Sequence, residues 1–338
     1  MSDGPDPGSG SDASPGSSSV LDPELRSVRV VAEKDFRDAI KSRALLILGA
    51  VFVVFFASAA FFFADQIQQA LDTAANTTNA TQAQQAQQVR ESLNSDAFLD
   101  TLTQITRLLI PLTGIVVSYA ALVGERESGT MKLLLALPHS RRSVVVGKLL
   151  GRSGVVAVPV LLGFLVAAPV FPILGVTLKP VGFLAFALAT ALVGVVFVAV
   201  ALGASAAAST ARRAVVGVVG LYVLFTLLWG QFSNAVFRRI SENTDLGNEA
   251  LIQVFLVLRH VNPVRAYESL VASVGPQSPL QARTSVFSGL QGQFFAQTLE
   301  GGSGLPVYLT DPALVIYLLL WIVVPVALGY WAFERADL

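Results

Sequence analysis

From Ala44 onward the chain alternates long apolar runs with charged or polar segments, and the apolar runs set its architecture. A helix needs about 20 apolar residues to cross the hydrocarbon core of a bilayer. Six runs approach or exceed that length: Ala44 to Ala64, Leu108 to Val123, Ser153 to Leu178, Val181 to Ala211, Ala214 to Phe237 and Pro312 to Phe333. The second is short unless it begins near Thr101 and takes in Arg107. The third carries Pro159, Pro169 and Pro172, and only Lys179 and Pro180 separate it from the fourth, which predicts a tight turn. The fourth ends in small residues from Gly203 to Ala208. Trp321, Tyr330 and Trp331 fit interfacial positions in the last run. The pattern predicts an all-α polytopic membrane protein with six transmembrane helices in residues 44–338.

The segments around these runs have their own patterns. Residues 1–22 are Gly, Ser, Pro and Asp with almost nothing apolar, which predicts a disordered cytoplasmic tail. Their start lacks the basic and then apolar order of a signal peptide. In residues 23–43, Leu25, Val28, Val31, Ala32, Phe36, Ala39 and Ile40 recur at helical spacing among Arg26, Arg29, Glu33, Lys34, Arg37 and Lys41. That is an amphipathic helix suited to the inner membrane surface. Two polar segments, residues 65–100 and 238–311, are expected outside. The first holds two N-x-[ST] sequons, so Asn76 and Asn79 are candidate glycosylation positions. The second holds Leu251 to Leu258, too short to span. It reads as a re-entrant helix, an interfacial helix or a core helix of an external cap.

Composition narrows the chemistry. Hydrophobic residues make up 53% of the chain and charged residues 14%, against about 25% charged in soluble domains. The net charge of +0 offers nothing to nucleic acid. No Cys is present, which excludes disulfides, thiolate catalysis and Cys-ligated metals. With the amino terminus inside, fifteen of the 23 Lys and Arg fall in inside segments. The positive-inside rule therefore predicts both termini cytoplasmic.

The loop between the second and third runs, residues 124–152, is the most informative stretch. It reads Gly124-Glu125-Arg126-Glu127-Ser128-Gly129-Thr130, then Met131 to Leu137 as a short apolar helix stopped by Pro138. Ser140 is placed to cap a second helix that climbs back into the third run. A short apolar helix between two spans must dock against something, and it is placed to pass a partner's motion to both spans.

This stretch resembles the ABC-2 type permease family, whose coupling region reads E-x-E-x-G-T, leucines, a Pro, S-R and G-K-x-x-G. The matching residues are Glu125, Glu127, Gly129, Thr130, Pro138, Ser140, Arg141, Gly147, Lys148 and Gly151. The closing Gly329 to Leu338 is similar to the family's end, and the amphipathic helix, six spans and long last external loop match its layout. The haloarchaeal branch, described as involved in multicopper-enzyme maturation, is closest in composition. The resemblance implies a permease dimer, identical or related, driven by two copies of an ABC ATPase subunit. ATP and magnesium would belong to that partner, with no cofactor on this chain. It implies ATPase contact and coupling through Glu125, Arg126, Glu127, Gly129, Thr130, Met131, Leu134, Leu135, Pro138, Ser140 and Arg141. Glu125 and Glu127 would help close the cytoplasmic end by pairing with Arg126, Arg141 or the amphipathic helix.

Several function classes find no residues. A P-loop needs G-x-x-x-x-G-K-[ST], and Gly147-Lys148 is followed by Leu149 without the first Gly. ATP hydrolysis must then come from another polypeptide. Ion-coupled transporters place ionisable groups within their spans. Here only Arg107 approaches that, and it reads as snorkelling to the outer interface in preference to binding an anion. His139 and His260 lie in loops as solvated or capping residues, and no carboxylate pair lies in a span, which opposes intramembrane catalysis. Met1 and Met131 are the only methionines, which opposes a sulfur-lined copper path. The function expected is a permease that moves a substrate with ATP hydrolysed elsewhere. The alternative is a non-transporting membrane anchor or assembly factor for an envelope enzyme, of multicopper type if the branch resemblance holds.

Overall fold

The computed structural model describes residues 23–41, 43–75, 95–131, 140–173, 177–274, 278–285, 290–300 and 305–335, and among them there is helix and turn but no strand. Helix α1 spans Pro23–Lys41, α2 Arg43–Ala75, α3 Ser95–Ser118, α4 Val123–Glu127, α5 Arg141–Ala167, α6 Val170–Ile173 and α7 Pro180–Ala207. Helix α8 (Ala211–Val223) runs through a π-helical turn, Leu224–Leu228, into α9 (Trp229–Asn243). Then follow α10 (Asn248–His260), α11 (Pro263–Ala272), α12 (Pro279–Thr284), α13 (Leu290–Glu300) and α14 (Asp311–Glu334). The protein is an all-α polytopic membrane protein. Among the described residues, five stretches are long and apolar enough to cross a membrane: Leu102–Glu127, Arg141–Ile173, Pro180–Ala207, Ala211–Asn243 and Asp311–Glu334. The apolar stretch Gly49–Phe63 lies within the 33-residue helix α2.

Local chemistry explains where the helices begin. Ser140 caps α5, its Oγ accepting from the Ser143 N–H at 3.0 Å. Thr210 caps α8 in the same way at 3.3 Å. Asn262 caps α11, where Pro263 occupies the first turn and has no N–H that needs an acceptor. The prolines within α3, α5 and α14 (Pro111, Pro159 and Pro325) leave the helices unbroken. In membrane helices, neighbouring helices and polar side chains re-satisfy the backbone groups that proline frees.

Helix α7 is the axis of the bundle. In its most apolar stretch 72% of residues are buried, against 17% for α8–α9 and 22% for α14. A helix apolar on every side belongs in the middle, and α3, α5 and α14 all pack on it. The core joins Phe52 and Phe56 of α2, Leu102 and Ile110 of α3, Phe164 of α5, Phe186 and Phe197 of α7, and Leu318 of α14. Helices α7 and α14 approach at Gly203 and Gly329, where a Cβ on either would overlap the other helix's backbone.

The apolar runs locate the helices, with shifted boundaries. The run beginning at Ser153 belongs to a helix starting twelve residues earlier at Arg141, because Ser140 caps it. The second run begins upstream of Arg107, since α3 starts at Ser95. Leu251 to Leu258 lies in α10 as a core helix. Ile252, Phe255 and Leu256 pack with Leu280, Leu299 and Leu309, a cluster of their own. The tail 1–22, both sequons (Asn76 and Asn79) and residues 132–139 with Leu134, Leu135 and Pro138 lie outside the described residues.

Candidate functional site

The Glu125–Glu127 segment lies where helix ends converge. After Ser118, α3 ends in a turn that re-forms as α4, and Gly129 stops α4 with φ 74°. That left-handed conformation is cheap only for glycine. The Leu122 and Val123 N–H groups both donate to Ser205 Oγ of α7, each at 3.1 Å, which fixes α4 on the axial helix.

Each charged residue of α4 then reaches a different element. Glu125 Oε1 accepts from Lys148 Nζ of α5 at 2.7 Å. Arg126 donates to the carbonyls of Ala206 and Ala208, at 3.2 and 2.9 Å, at the end of α7. Glu127 Oε1 accepts from the Ala211 N–H at 2.9 Å, at the start of α8. These last two contacts match the helix dipole, a cation at a carboxyl end and an anion at an amino end. Arg141 of α5 donates to the Phe333 and Glu334 carbonyls of α14 at 2.9 and 3.1 Å. The Arg126 and Arg141 guanidinium groups both lie over the Phe333 ring.

Lys148 extends this lacing to α1. Its side chain is 4% exposed and lies 3.4 Å from Asp35 Oδ1 as well as 2.7 Å from Glu125. Arg152 supports Asp35 with Nε 2.8 Å from Oδ2, a charge contact lying off the hydrogen-bond line. It also donates to the Val117 carbonyl at 2.9 Å, near the end of α3. Two cations and two carboxylates thus neutralise one another in a mostly buried site, where an unpaired charge would be costly.

Helix α1 gets this close because the facing side of α5 is glycine. A Cβ at Gly147 would lie 2.6 Å from Val31 Cβ, and one at Gly151 3.0 Å from the Ala32 carbonyl. The G-K-x-x-G pattern is therefore a seat for α1, with Lys148 between the two glycines as the bridge.

Of the residues singled out from the sequence, the structure brings Glu125, Arg126, Glu127, Ser140 and Arg141 to this end of the bundle. Ser128, Gly129 and Thr130 are exposed there. Met131 is 1% exposed, inserted among Leu122, Val144, Val145, Leu202 and Phe333. Glu125 and Glu127 pair with Lys148 and the α8 amino end, not with Arg126 or Arg141. Asp35, Arg152, Ser205 and Phe333 were not singled out. One signal pointed to Asp35: it interrupts the apolar stripe of α1 at a register shared with Val28, Val31 and Ala32.

The other end is also polar inside. Tyr267 of α11 is buried, its hydroxyl 2.8 Å from Thr106 of α3 and 3.0 Å from Thr190 of α7. Arg107 does not stand free at an interface: its Nη1 donates to Glu268 Oε1 at 2.8 Å, while Arg265 holds Oε2 at 2.7 Å. His260 is buried and not solvated, its Nδ1 2.7 Å from the Leu256 carbonyl, and burial pushes its pKa down to about 4. Among the described residues no group of three or more His, Asp or Glu could hold a metal.

An all-α bundle of membrane-length helices, with one charged segment tying their ends together, defines a polytopic membrane protein. A family profile described as ABC-2 family transporter protein matches residues 29–338. The chain is 28% identical over 312 residues to the probable ABC transporter permease protein NosY of Stutzerimonas stutzeri, covering 90% of this chain and 97% of that protein. It is 29% identical over 206 residues to the protein of the same name from Pseudomonas aeruginosa, covering 60% and 68% respectively. The chain belongs to the ABC-2 family of transporter proteins. It is a multi-pass membrane permease subunit of ABC type, a class whose ATPase is a separate subunit.

Proposed function

We propose that this chain forms the membrane pathway of an ATP-driven transporter and takes its energy at the segment from Glu125 to Leu137. The end of the bundle carrying that segment is cytoplasmic, as are both termini. Two ATPase subunits, holding the ATP and magnesium, dock there on a pair of permeases, identical or related. This chain itself supplies no catalytic group and no cofactor. The observation that carries the reading is the lacing by α4. Three consecutive charged residues reach α5, the end of α7 and the start of α8, and Lys148 passes the first contact on to α1. A push on this one segment displaces several helix ends together, which is the mechanical requirement for rocking a pathway between inward and outward openings. Ser128 to Thr130 supply the exposed surface beside it.

Purification of the tagged chain tests the partnership, since an ATPase subunit should accompany it. Glu127→Ala tests the coupling. It removes an exposed carboxylate from the amino end of α8, worth about 0.5–2 kcal/mol, so substrate-stimulated hydrolysis should fall several-fold while basal hydrolysis persists. Isolation of the chain only as a free monomer without an ATPase refutes the reading. A complex in which no substrate ever stimulates hydrolysis favours a membrane anchor instead.

A further inference from the structure

Between α1 and α5 runs an open groove of about 610 Å³ that nothing above uses. That volume lies in the range of small-molecule pockets, roughly 300–1,000 Å³. Its walls are apolar: Leu25, Val28 and Phe36 from α1, and Leu150 and Val158 from α5, with Arg29 at the rim. Leu25 and Leu150 stay 57% and 54% exposed, so the groove is unfilled by the described residues. Its floor does not end at Val158. Leu162, Leu165 and Val166 continue the same exposed apolar strip along α5, one of the membrane-length helices. The groove therefore opens into the lipid-facing surface.

Two charged residues line the groove, Arg29 and Glu33. Arg29 is exposed, as is Arg26, which lies outside the lining three residues earlier on α1; among the described residues neither forms an ion pair. Glu33, also at the rim, is engaged by Arg37 at 2.5 Å. Asp35 is consumed inside by Lys148 and Arg152. An apolar channel that runs into the lipid-facing strip of α5, with the exposed guanidinium of Arg29 at its rim and that of Arg26 three residues away on α1, matches one class of ligand.

We infer that this groove binds an anionic phospholipid, with an acyl chain between α1 and α5 and the phosphate on Arg26 and Arg29. Bidentate guanidinium–phosphate pairing supplies the recognition, and burial of the chain against apolar walls supplies the affinity. The site flanks the charge network, because Gly151 lines the groove while its far side contacts Asp35. A seated lipid thus braces α1 against α5. The inference rests on the membrane-surface placement of α1, but not on transport.

The test uses the whole permease complex in nanodiscs of phosphatidylcholine, with or without an equal share of phosphatidylglycerol. A phosphatidylglycerol probe with a photoactivatable acyl chain is cross-linked and the labelled peptides are mapped. Labelling should concentrate on residues 25–36 and 150–158, above the level on the exposed α8 face around Val216 and Val219. Arg26→Gln and Arg29→Gln should each lower that enrichment about fivefold, the weight of one basic residue at an anionic surface. Val158→Trp, which fills the groove and spares the arginines, should abolish it. Equal labelling of groove and α8 face, or equal labelling by a phosphatidylcholine probe, overturns the site. Groove labelling that appears only after the ATPase is stripped also overturns it, by assigning the groove to protein. Enriched labelling on a chain that never binds an ATPase would refute the permease mechanism and leave the lipid site standing.

Discussion

Lys148 offers the sharpest test of the charge network that ties α1, α4 and α5 together. Replacing it with Met keeps the volume and removes the charge. The side chain is 4% exposed and faces Glu125 and Asp35 at 2.7 and 3.4 Å. Removing one partner of a buried ion pair costs about 3–5 kcal/mol, because the surviving charge is stranded. Two features lower that figure here. Arg152 still holds Asp35 at 2.8 Å, and Glu125 is 30% exposed, so water reaches it. Lys148→Met should therefore cost about 2–3 kcal/mol, just below the range for a fully buried pair. Glu125→Gln alone should cost less, since Lys148 keeps Asp35. The double variant strands no carboxylate from the Lys148–Glu125 pair, so its loss should fall short of the sum by about 1–2 kcal/mol. Detergent-driven unfolding of the purified complex, followed by the fluorescence of Trp229, Trp321 and Trp331, reads these differences. A Lys148→Met protein as stable as the parent, or strict additivity in the double variant, refutes the view that these charges form one buried network.

Two further outcomes follow from the packing and from burial. Gly203→Ala should destabilise by about 1–3 kcal/mol, the usual cost of overpacking, because the new Cβ overlaps the Pro325 carbonyl. Gly217→Ala, with nothing within 4 Å of its Cβ, should instead gain up to about 1 kcal/mol from helix propensity, and the same unfolding assay compares the two. The folded His260 has a pKa of about 4 against an ordinary 6.5, so the unfolded state binds the proton first as pH falls. Stability tied to this residue is present above about pH 6.5 and is lost down to about pH 4. From pH 7 to pH 5 the α10–α12 region should lose about 2 kcal/mol of protection against hydrogen exchange, and His260→Asn should flatten that slope.

The membrane architecture was legible along the chain because it depends on the length and polarity of single segments. Any helix crossing a bilayer must be apolar over its own length, whatever it packs against. The caps at Ser140 and the stop at Gly129 were legible for the same reason, since a helix end is satisfied by residues next to it. The stretch from Gly124 to Gly151 was legible as a pattern, but what its residues touch was not. Gly147 and Gly151 show only that something approaches closely, and the neighbour is α1, more than a hundred positions away in sequence. Glu125, Arg126 and Glu127 carry no mark of choosing α5, α7 and α8. Arg107 looked like a lone cation because Glu268 lies 161 positions away. Composition and periodicity record how each residue meets its solvent, water or lipid. Which charges meet each other is decided by the crossing of helices, and that exists only once the bundle has packed.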